Sequence, residues 1–307
     1  MKVLLICSKN SGKVVPFISE QADSLASMGV SIDWFFIEQK GIIGYLRMIP
    51  KFLKKNKSSQ PDVIHAHYGL CGLVANMQRK TPVVTTYPGS DINTSYVRFF
   101  SILSMWLSKK NIFMGDRQLK KVKKWGNHEK NIIIPYGIDL GSFYAKSKEE
   151  ARKILGFTNE QKIALFAGRF SREVKNAPLA FSAVNLIKGL ELHELTGNYS
   201  REEMCTLMNA ADVSLMTSFS EGSPQFIKET LACGCPVVSV DVGDVKDVIA
   251  GVENCYIAER NPQDIAGKLE KVLAKNERVE GSHIVNKYDL KKIAKELLAL
   301  YNSVLQK

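Results

Sequence analysis

Short apolar runs alternate along the first half of the chain with longer segments in which apolar residues recur every three or four positions. Such runs are typical of buried strands, and the segments between them are typical of helices that cover a sheet. The predicted strands are Val3–Cys7, Ser31–Ile37, Asp62–His65, Val83–Thr86, Asn111–Met114 and Ile132–Ile134. The predicted helices are Phe17–Met28, Ile42–Asn56, Leu70–Gln78, Ser95–Ser108 and Gln118–Lys124. This alternation predicts a parallel sheet that is covered on both faces.

The alternation starts again after the polar segment Ala145–Arg152. The second half contains predicted strands at Ile163–Ala167, Leu190–Leu195, Asp212–Thr217, Val237–Val240 and Cys255–Ile257, with helices near Asp264–Leu273 and Leu290–Leu305. We therefore predict an α/β protein with two doubly wound Rossmann-like domains, residues 1–142 and 143–287, that face a central cleft. A ligand is expected in the crevice at the carboxyl ends of the strands.

Composition narrows the class of protein and of partner. The 307 residues are 45% hydrophobic and 24% charged, and no stretch approaches the ~20 apolar residues of a membrane-spanning helix, so a cytoplasmic globular protein is expected. The six cysteines include no Cys-x-x-Cys pair, which favours reduced thiols. The net charge is +11, and residues 1–145 hold 20 Lys and Arg against 9 Asp and Glu, which is the whole excess. A one-sided basic field suits nucleic acid, anionic lipid or an anionic substrate.

The segment Ser220–Glu229 contains two glutamates after a predicted strand. Glu221 lies on the loop at the strand's carboxyl end, and Glu229 lies two turns into the next helix. The backbone of Gly222, Ser223, Pro224 and Gln225 then forms a helix N-terminus, where an anion is stabilised. Carboxylates can hold sugar and ribose hydroxyls. The alternative is a capped helix with surface glutamates, but the tight turn Ala232–Val238 that leads into a buried strand favours a binding site.

The region Asp212–Asp247 resembles the signature of the group 1 (family 4) retaining glycosyltransferases, which have the two-domain GT-B fold. The shared pattern is Glu, seven residues, Glu, and then Ala-x-Gly-x-Pro-Val-Val. The resemblance implies that Glu221 binds the hydroxyls of the donor sugar and that Glu229 binds the ribose. It also implies a nucleotide-sugar donor, no metal, and a last helix, 288–307, that crosses back to the first domain.

The loop Ala167–Asn176 resembles the family's diphosphate-binding loop, in which an Arg and a Lys grip the leaving group. Arg169 and Lys175 fit those positions, and Arg172 is an alternative. Paired cations can stabilise a departing diphosphate without a metal ion. The competing interpretation is a solvated basic loop.

Three loops of the first half also resemble the family. The segment Asp62–Gly69 is similar to an acceptor-side loop and contributes His67 and Tyr68. His65 and His67 have a spacing that suits a metal, but no carboxylate or cysteine cluster lies near them. The loop Ser8–Lys13 is not a Walker A loop. It resembles a flexible loop over donor and acceptor, in which Gly12 is the candidate.

The loop Thr85–Asn93 resembles the family loop that reaches the donor sugar. Pro88 stands where many members of the family have a histidine, which places the rate, the sugar or activity itself in question. Asp91 and the amides around Gly89 are the remaining candidates for contact with the sugar.

Two basic segments point to a surface partner. Ile42–Lys57 is expected to form an amphipathic basic helix bent at Pro50, and Lys120–Lys124 is a second basic run. Docking on an anionic membrane that carries a lipid-linked acceptor is one interpretation. An ordinary lysine-rich surface is the other.

These patterns together predict an enzyme that moves a sugar from a UDP- or GDP-linked donor to a glycan or lipid-linked acceptor. Retention of configuration and a role in surface polysaccharide synthesis follow from the resemblance alone. No cofactor or metal is expected. A nucleic-acid binder is a weaker alternative for the basic half, because no recognition module accompanies it. The protein is expected in the cytoplasm, at the inner face of the membrane. The alternatives are a non-catalytic nucleotide-sugar-binding subunit and, less favoured, an epimerase of the same fold.

Overall fold

The computed structural model describes residues 1–10, 12–125 and 128–306. They form two compact units, one made of Met1–Gly137 with the chain from Leu290 onward, and one made of Ile138–Asp289. These boundaries lie a few residues from the predicted ones. Each unit is a parallel sheet with helices around it, which confirms the predicted α/β class.

The first unit contains a six-stranded sheet in the order β2-β1-β3-β4-β5-β6. Its strands are β1 Lys2–Ser8, β2 Ser31–Ile37, β3 Val63–His67, β4 Val83–Tyr87, β5 Lys110–Phe113 and β6 Asn131–Ile133. Its helices up to this point are α1 Pro16–Ser27, α2 Gly41–Arg47, α3 Ile49–Ser59, α4 Gly69–Ala75, α5 Ser90–Asn93, α6 Ser95–Leu107 and α7 Asp116–Val122. All neighbouring strands are parallel, as the alternation predicts.

The second unit contains a five-stranded sheet in the order β11-β10-β9-β7-β8. Its strands are β7 Lys162–Phe166, β8 Leu190–Glu194, β9 Val213–Met216, β10 Val237–Val240 and β11 Tyr256–Ala258. Its helices are α8 Lys148–Leu155, α9 Ala177–Val184, α10 Arg201–Ala210, α11 Gln225–Ala232, α12 Val245–Val248, α13 Pro262–Lys275 and α14 Ser282–Val285. The last helix, α15 Leu290–Leu305, belongs to the first unit.

Opposite faces of the first sheet bury different helices because successive side chains of a strand point to opposite sides. Val3 and Leu5 of β1 pack in one layer with α1 and α15. Leu4 and Ile6 pack in the other layer with α2, α3, α4 and α6. Helix α15 buries Ile293, Leu297 and further residues spaced along one face, so a helical apolar pattern at the end of the chain completes this core.

The predicted helix Ile42–Asn56 is wrong as a single bent helix. The chain forms α2 and α3 instead, with Met48 between them and Pro50 in the first turn of α3. A proline has no N–H and is favoured where a helix begins, so it starts a new helix here rather than bending one.

Helices α4 and α6 pack closely because α4 carries glycines at the contact. A Cβ atom on Gly69 would lie 2.1 Å from Ser101 Oγ, and one on Gly72 would lie 2.2 Å from Ser104 Oγ. No real side chain tolerates such distances, so the two glycines permit this approach. The packing fixes which face of α6 is turned inward.

Both sheets have the same strand order around their first strand. In the first unit the chain moves from β1 to β2 on one side and later to β3 on the other, and in the second unit β7, β8 and β9 are arranged in the same way. Ligands of open parallel sheets bind where the order reverses, at the carboxyl ends of the two diverging strands. The topology therefore predicts ligand binding at the loops after β1 and β3 in the first unit, and at the loops after β7 and β9 in the second.

Candidate functional site

In the second unit, the loops after β7 and β9 bring two predicted residues together. Lys175 Nζ lies 2.7 Å from Glu221 Oε1, and the two side chains are 15% and 18% exposed. Lys175 ends the 3₁₀ turn Glu173–Lys175, and Glu221 lies between β9 and α11. A cation and a carboxylate therefore stand in contact at the switch point of this sheet.

The position of Lys175 follows from local hydrogen bonds to the end of β9. The buried hydroxyl of Thr217 donates to the backbone oxygens of Lys175 (3.0 Å) and Asn176 (2.9 Å). The amide of Phe219 donates to Val174 O at 2.9 Å. Gly168 has a φ of +141°, and a Cβ there would lie 3.0 Å from Lys175 Cε, so the stem of the lysine crosses over a glycine. The loop is thus tied to the neighbouring strand and holds its lysine in place.

Arg169 lies on the same loop but is exposed. Its Nη2 donates to Asn198 Oδ1 at 3.3 Å, and a Cβ on Gly197 would lie 3.5 Å from the same nitrogen. The adjacent amide of Phe170 donates to Glu194 Oε2 at 2.7 Å. The guanidinium is therefore at the surface of the loop, where an anion from solvent can reach it.

Glu229 is buried in α11 and pairs with a residue that the sequence analysis did not single out. Arg201 Nη2 lies 2.6 Å from Glu229 Oε1, and the Glu229 side chain is 3% exposed. Burial raises the pKa of Glu229, and the charges of Arg201 and Lys228 oppose this change. The Arg201 guanidinium also lies 4.4 Å from the centre of the Phe143 ring. Glu229 is buried and paired with an arginine, so the alternative interpretation of this residue as a surface glutamate is not favoured.

Helix α11 begins within the segment between the two glutamates. Pro224 is the N-cap residue and α11 begins at Gln225. Gly222 and Ser223 form the loop before it. A Cβ on Gly243, whose φ is +58°, would lie 2.5 Å from Gly222 O and 3.3 Å from Glu221 Cβ. The loop after β10 therefore supports the backbone that carries Glu221.

Lys228 is fully buried next to this segment and was missed by sequence reasoning. Its Nζ lies 3.2 Å from Gln225 Oε1 and 4.3 Å from the centre of the Tyr288 ring. Burial lowers the pKa of Lys228 to about 8, and the carboxylates of Asp244 and Glu229 limit the decrease. Burial likewise raises the pKa of Asp244. The sequence indicates that Lys228 belongs to this region only by its helical position, three residues after Gln225 and one before Glu229.

Lys228 should give the protein a pH-dependent stability. The unfolded lysine keeps its proton to about pH 10.5, whereas the folded one loses it near pH 8, so the free energy of unfolding rises with pH between these values. A difference of about 2.5 pKa units corresponds to about 3 kcal/mol. Denaturant unfolding of the wild type and of Lys228→Met at pH 7.5 and pH 10 measures the change. The free energy of unfolding of the wild type minus that of Lys228→Met should be larger at pH 10 than at pH 7.5.

The exposed Lys271→Met on α13 is the matched control and should show a difference independent of pH. A wild-type minus Lys228→Met difference that is also flat would contradict this interpretation. Lys287 lowers the pKa of Lys228 in addition, so a Lys287→Gln variant should reduce the slope slightly.

In the first unit, the two histidines of β3 are buried side by side, with ring centres 4.3 Å apart. The ring nitrogens of His65 contact Tyr301 Oη (2.6 Å) and Thr86 Oγ1 (2.7 Å). His67 Nδ1 contacts Tyr136 Oη at 2.9 Å. Burial lowers the pKa of His67 to about 3, so the ring is neutral. His65 is thus a structural residue that joins β3 to β4 and α15.

His67 Nε2 is buried and has no hydrogen-bond partner in the described part of the chain. A buried unpaired ring nitrogen is uncommon, and it lies at the end of β3, beside the switch point of this sheet. Tyr68 follows with a φ of +91° and a ψ of 140°, a region that L-residues rarely adopt. Burial raises the pKa of Tyr68 to about 12. Strain next to an unpaired polar atom is consistent with the predicted acceptor-side role, which stays a prediction.

Gly12 lies on the loop after β1, the other strand of this switch point. Its φ is +86°, and its amide donates to Lys9 O at 2.9 Å. A left-handed conformation favours glycine at this turn. Gly12 thus lies on a loop at which the sheet topology predicts ligand binding. Its predicted contact with the donor stays a prediction.

Asp91 is fully buried, and backbone amides occupy both of its carboxylate oxygens. Its carboxylate accepts hydrogen bonds from the amides of Gly69 (3.0 Å) and Gly89 (3.1 Å). Burial raises the pKa of Asp91 to about 7 although these amides lower it. Gly89 has a φ of +129°, so the carboxylate stabilises a turn that only glycine adopts easily. The geometry favours Asp91 as a positioning residue for two loops over the predicted contact with the sugar.

Within the described ranges, no three His, Cys, Asp or Glu side chains are grouped so that they could hold a metal ion. All six cysteines are free thiols. The predicted metal-free chemistry is not tested by these observations and stays a prediction.

Comparison with protein families gives two matches that together span most of the chain. A model described as glycosyl transferases group 1 matches residues 183–275, and one described as glycosyl transferase 4-like matches residues 1–112. The first match contains Glu221, Glu229 and the arginine that pairs with Glu229. The second contains His67 and Asp91.

Curated relatives carry related names. TuaC of Bacillus subtilis, named as a teichuronic acid biosynthesis glycosyltransferase, is 26% identical over 248 residues, which cover 71% of this chain and 62% of TuaC. The D-inositol 3-phosphate glycosyltransferase of Mycolicibacterium smegmatis is 25% identical over 171 residues, which cover 46% of this chain and 39% of that protein. The chain thus spans between about two fifths and three fifths of the length of these relatives.

Solved structures resemble the whole chain. A sucrose-phosphate synthase from Thermosynechococcus elongatus has a TM-score of 0.86 at 17% identity, with 99% of both chains covered. HepE of Anabaena in complex with UDP-glucose has a TM-score of 0.79 at 14% identity, covering 99% of this chain and all of the other. These likenesses show the fold, and they confirm the predicted GT-B class.

Proposed function

Because the chain belongs to the group 1 glycosyltransferases, we propose that it transfers a sugar from a nucleotide-diphosphate sugar to a glycan or lipid-linked acceptor. The contact between Lys175 and Glu221 at the switch point of the second sheet carries this proposal. In this proposal Lys175 is the cation for the diphosphate and Glu221 is the carboxylate for the sugar hydroxyls. Thr217 and Gly243 support the loops that carry them.

Each predicted residue has a role that its position can serve. Lys175 and the exposed Arg169 bind the diphosphate and stabilise the charge that develops on it as the bond to the sugar breaks. Glu221 accepts hydrogen bonds from the sugar once Lys175 turns to the phosphate. Glu229, oriented by Arg201, accepts hydrogen bonds from the ribose. The backbone from Gly222 to Gln225 lies at a helix N-terminus, where anionic oxygens are stabilised.

A UDP-linked donor and a cell-surface polysaccharide product are the finer parts of the proposal. The likeness to HepE, solved with UDP-glucose, supports the base. The likeness to TuaC supports the product class. Retention of configuration and action in the cytoplasm at the inner face of the membrane rest on the family resemblance. NMR of the product's anomeric proton would distinguish retention from inversion.

Donor binding is the first property to test. UDP, GDP and ADP sugars are added one at a time to the purified protein, and the midpoint of thermal unfolding is recorded. A ligand at 100 times its Kd should stabilise the folded state by about 2.7 kcal/mol. We expect a shift with a UDP-sugar that Arg169→Ala lowers, while Lys162→Ala, at the amino end of β7, behaves as wild type.

Release of the nucleoside diphosphate from the bound donor decides between the two candidate functions. An enzyme releases it, at least slowly, as donor hydrolysis or with added acceptor. Binding without any release would favour the non-catalytic nucleotide-sugar-binding subunit, for which Pro88 in place of the family histidine is the specific observation. No shift with any of the nucleotide sugars would contradict both. Arg172→Ala tests the alternative position of the diphosphate-binding arginine.

A further inference from the structure

Helix α6 exposes an apolar stripe that the proposed reaction does not use. Tyr96, Phe99, Leu103 and Trp106 are 67%, 68%, 43% and 66% exposed. Steps of three, four and three residues place these side chains on one face of the helix. The inward face holds the other set: Val97, Ser101, Ser104 and Met105. The helix therefore turns three of its four aromatic side chains outward and two of its three serines inward, the reverse of an ordinary surface helix.

The stripe cannot be buried by a rotation of the helix. Ser101 and Ser104 lie directly over Gly69 and Gly72 of α4, at distances that leave no space for a larger residue. Ser101 Oγ also donates to Asp91 O at 3.0 Å. The exposed face is thus fixed by close packing, and contiguous apolar surface of this kind indicates an interaction site.

A basic groove of about 680 Å³ adjoins the stripe. Five of its eight lining residues are cations and none is acidic. The cations are Arg98, Lys120, Lys121, Lys123 and Lys124, and Trp125 lies among them. None of the five cations forms an ion pair with the described residues. The groove can therefore receive several negative charges without breaking an existing pair.

The groove and the stripe are parts of one surface. Trp106 Nε1 donates to Trp125 O at 2.6 Å, and the Arg98 guanidinium lies 5.3 Å from the centre of the Trp125 ring. Trp106 belongs to the stripe, and Trp125 lines the groove. Aromatic and cationic side chains are thus arranged side by side on α6 and the segment that follows α7.

We propose that this surface, the α6 stripe with its basic groove, docks the protein on an anionic lipid bilayer. Tyr and Trp side chains favour the boundary between headgroups and acyl chains, where Phe99 and Leu103 also find an apolar surrounding. The five cations bind lipid phosphates at the same level. A charge of one sign over the whole groove matches a surface of uniform negative charge better than it matches a protein of mixed charge. Docking through this surface does not depend on the proposed transfer reaction.

The predicted docking segment Ile42–Lys57 is a weaker candidate than this surface. Tyr45, Met48 and Phe52 of that segment are buried in the core, and Lys55 is paired with Asp33 at 2.6 Å. Ile43 remains exposed, and α2 and α3 cover the same sheet face as α6. Of the two predicted basic segments, only Lys120–Lys124 belongs to the surface that we propose. Among the described residues, no helix has the length and apolar character needed to span a bilayer, so the contact that we propose is interfacial.

Vesicle flotation tests the proposal. The full chain is mixed with vesicles of phosphatidylcholine alone or of equal parts phosphatidylglycerol and phosphatidylcholine. We expect flotation with the anionic vesicles only, and loss of binding at high salt. The double variants Tyr96→Ser/Phe99→Ser and Lys120→Gln/Lys123→Gln should each bind about tenfold more weakly, because each removes two contacts of one kind.

Matched controls change exposed residues elsewhere. Ile154→Ser/Leu186→Ser removes two apolar side chains of the second unit, and Lys292→Gln/Lys295→Gln removes two cations of α15, on the opposite face of the first sheet. Both should float as wild type, and all variants should keep wild-type donor binding and thermal stability. Equal flotation with neutral vesicles, or wild-type flotation of the stripe variant, overturns the proposal. A dimer in sedimentation that the stripe variant abolishes, without vesicle binding, overturns it in favour of self-association.

Discussion

Replacing Lys175 with methionine is expected to lower kcat/KM for the nucleotide-sugar donor by about 10²- to 10³-fold. The ammonium is the partly buried cation of the switch-point pair, and methionine keeps the length of the side chain without the charge. A cation that meets developing negative charge contributes more to the transition state than to the bound donor, so kcat should decrease more than KM increases. Release of the nucleoside diphosphate measures both parameters.

The ion pair complicates this variant, because methionine leaves Glu221 without its partner at 2.7 Å. A double-mutant cycle with Glu221→Gln separates the two effects. If Lys175 acts on the diphosphate and Glu221 on the sugar, both single variants lose activity and the double variant is no better than either. If the pair is only a structural contact, the double variant recovers most of the activity. Lys162→Met at the far end of β7 is the matched control, and activity of Lys175→Met within threefold of it would refute the assignment.

Replacing Asp91 with alanine is expected to lower the free energy of unfolding by about 2–5 kcal/mol, since two buried amides lose their acceptor. The effect should depend on pH. The folded pKa of Asp91 is raised to about 7 from 3.8, so its contribution is complete below pH 3.8 and decreases as pH rises through 7. Denaturant unfolding at pH 5 and pH 8 should therefore show the larger loss at pH 5.

The exposed Asp23→Ala on α1 is the matched control for this experiment and should change stability little at either pH. A loss that is larger at pH 8 would show that the ionised carboxylate holds the two loops, contrary to the effect of burial. Asp91→Asn keeps one acceptor oxygen and should be intermediate. A folded Asp91→Asn protein that retains kcat/KM within severalfold supports a positioning role, whereas a loss near 10³-fold would restore the predicted contact with the sugar.

Most strands and helices were predicted within one or two residues, because the chain's apolar runs are short and separated by polar loops. Ser31–Ile37 and Val237–Val240 were predicted at their observed bounds. The error at Ile42–Asn56 has a local cause. The apolar spacing continues through Pro50, so periodicity alone indicates one helix, whereas the proline begins a second.

The candidate site was predictable only where a motif marked it. Glu221, Glu229, Arg169 and Lys175 stand in recognisable segments of the chain, and the structure places Lys175 against Glu221. Arg201 and Lys228 carry no such mark. Arg201 is separated from Glu229 by 28 positions, and a lysine in a helix gives no sign that it is buried. The fold brings these two residues to the candidate site, because Arg201 pairs with Glu229 and Lys228 is buried beside it.

The sequence by itself determined the α/β alternation, the concentration of basic residues in the first half and the residue types of the candidate site. These are properties of neighbouring residues along the chain, and periodicity and composition record them. Only the tertiary structure decided that Asp91 faces inward, that Lys175 meets Glu221 and that α6 turns its aromatic side outward. Each of these depends on contacts between distant segments, such as Gly69 with Ser101, and no local pattern encodes which side of an element such a contact will cover.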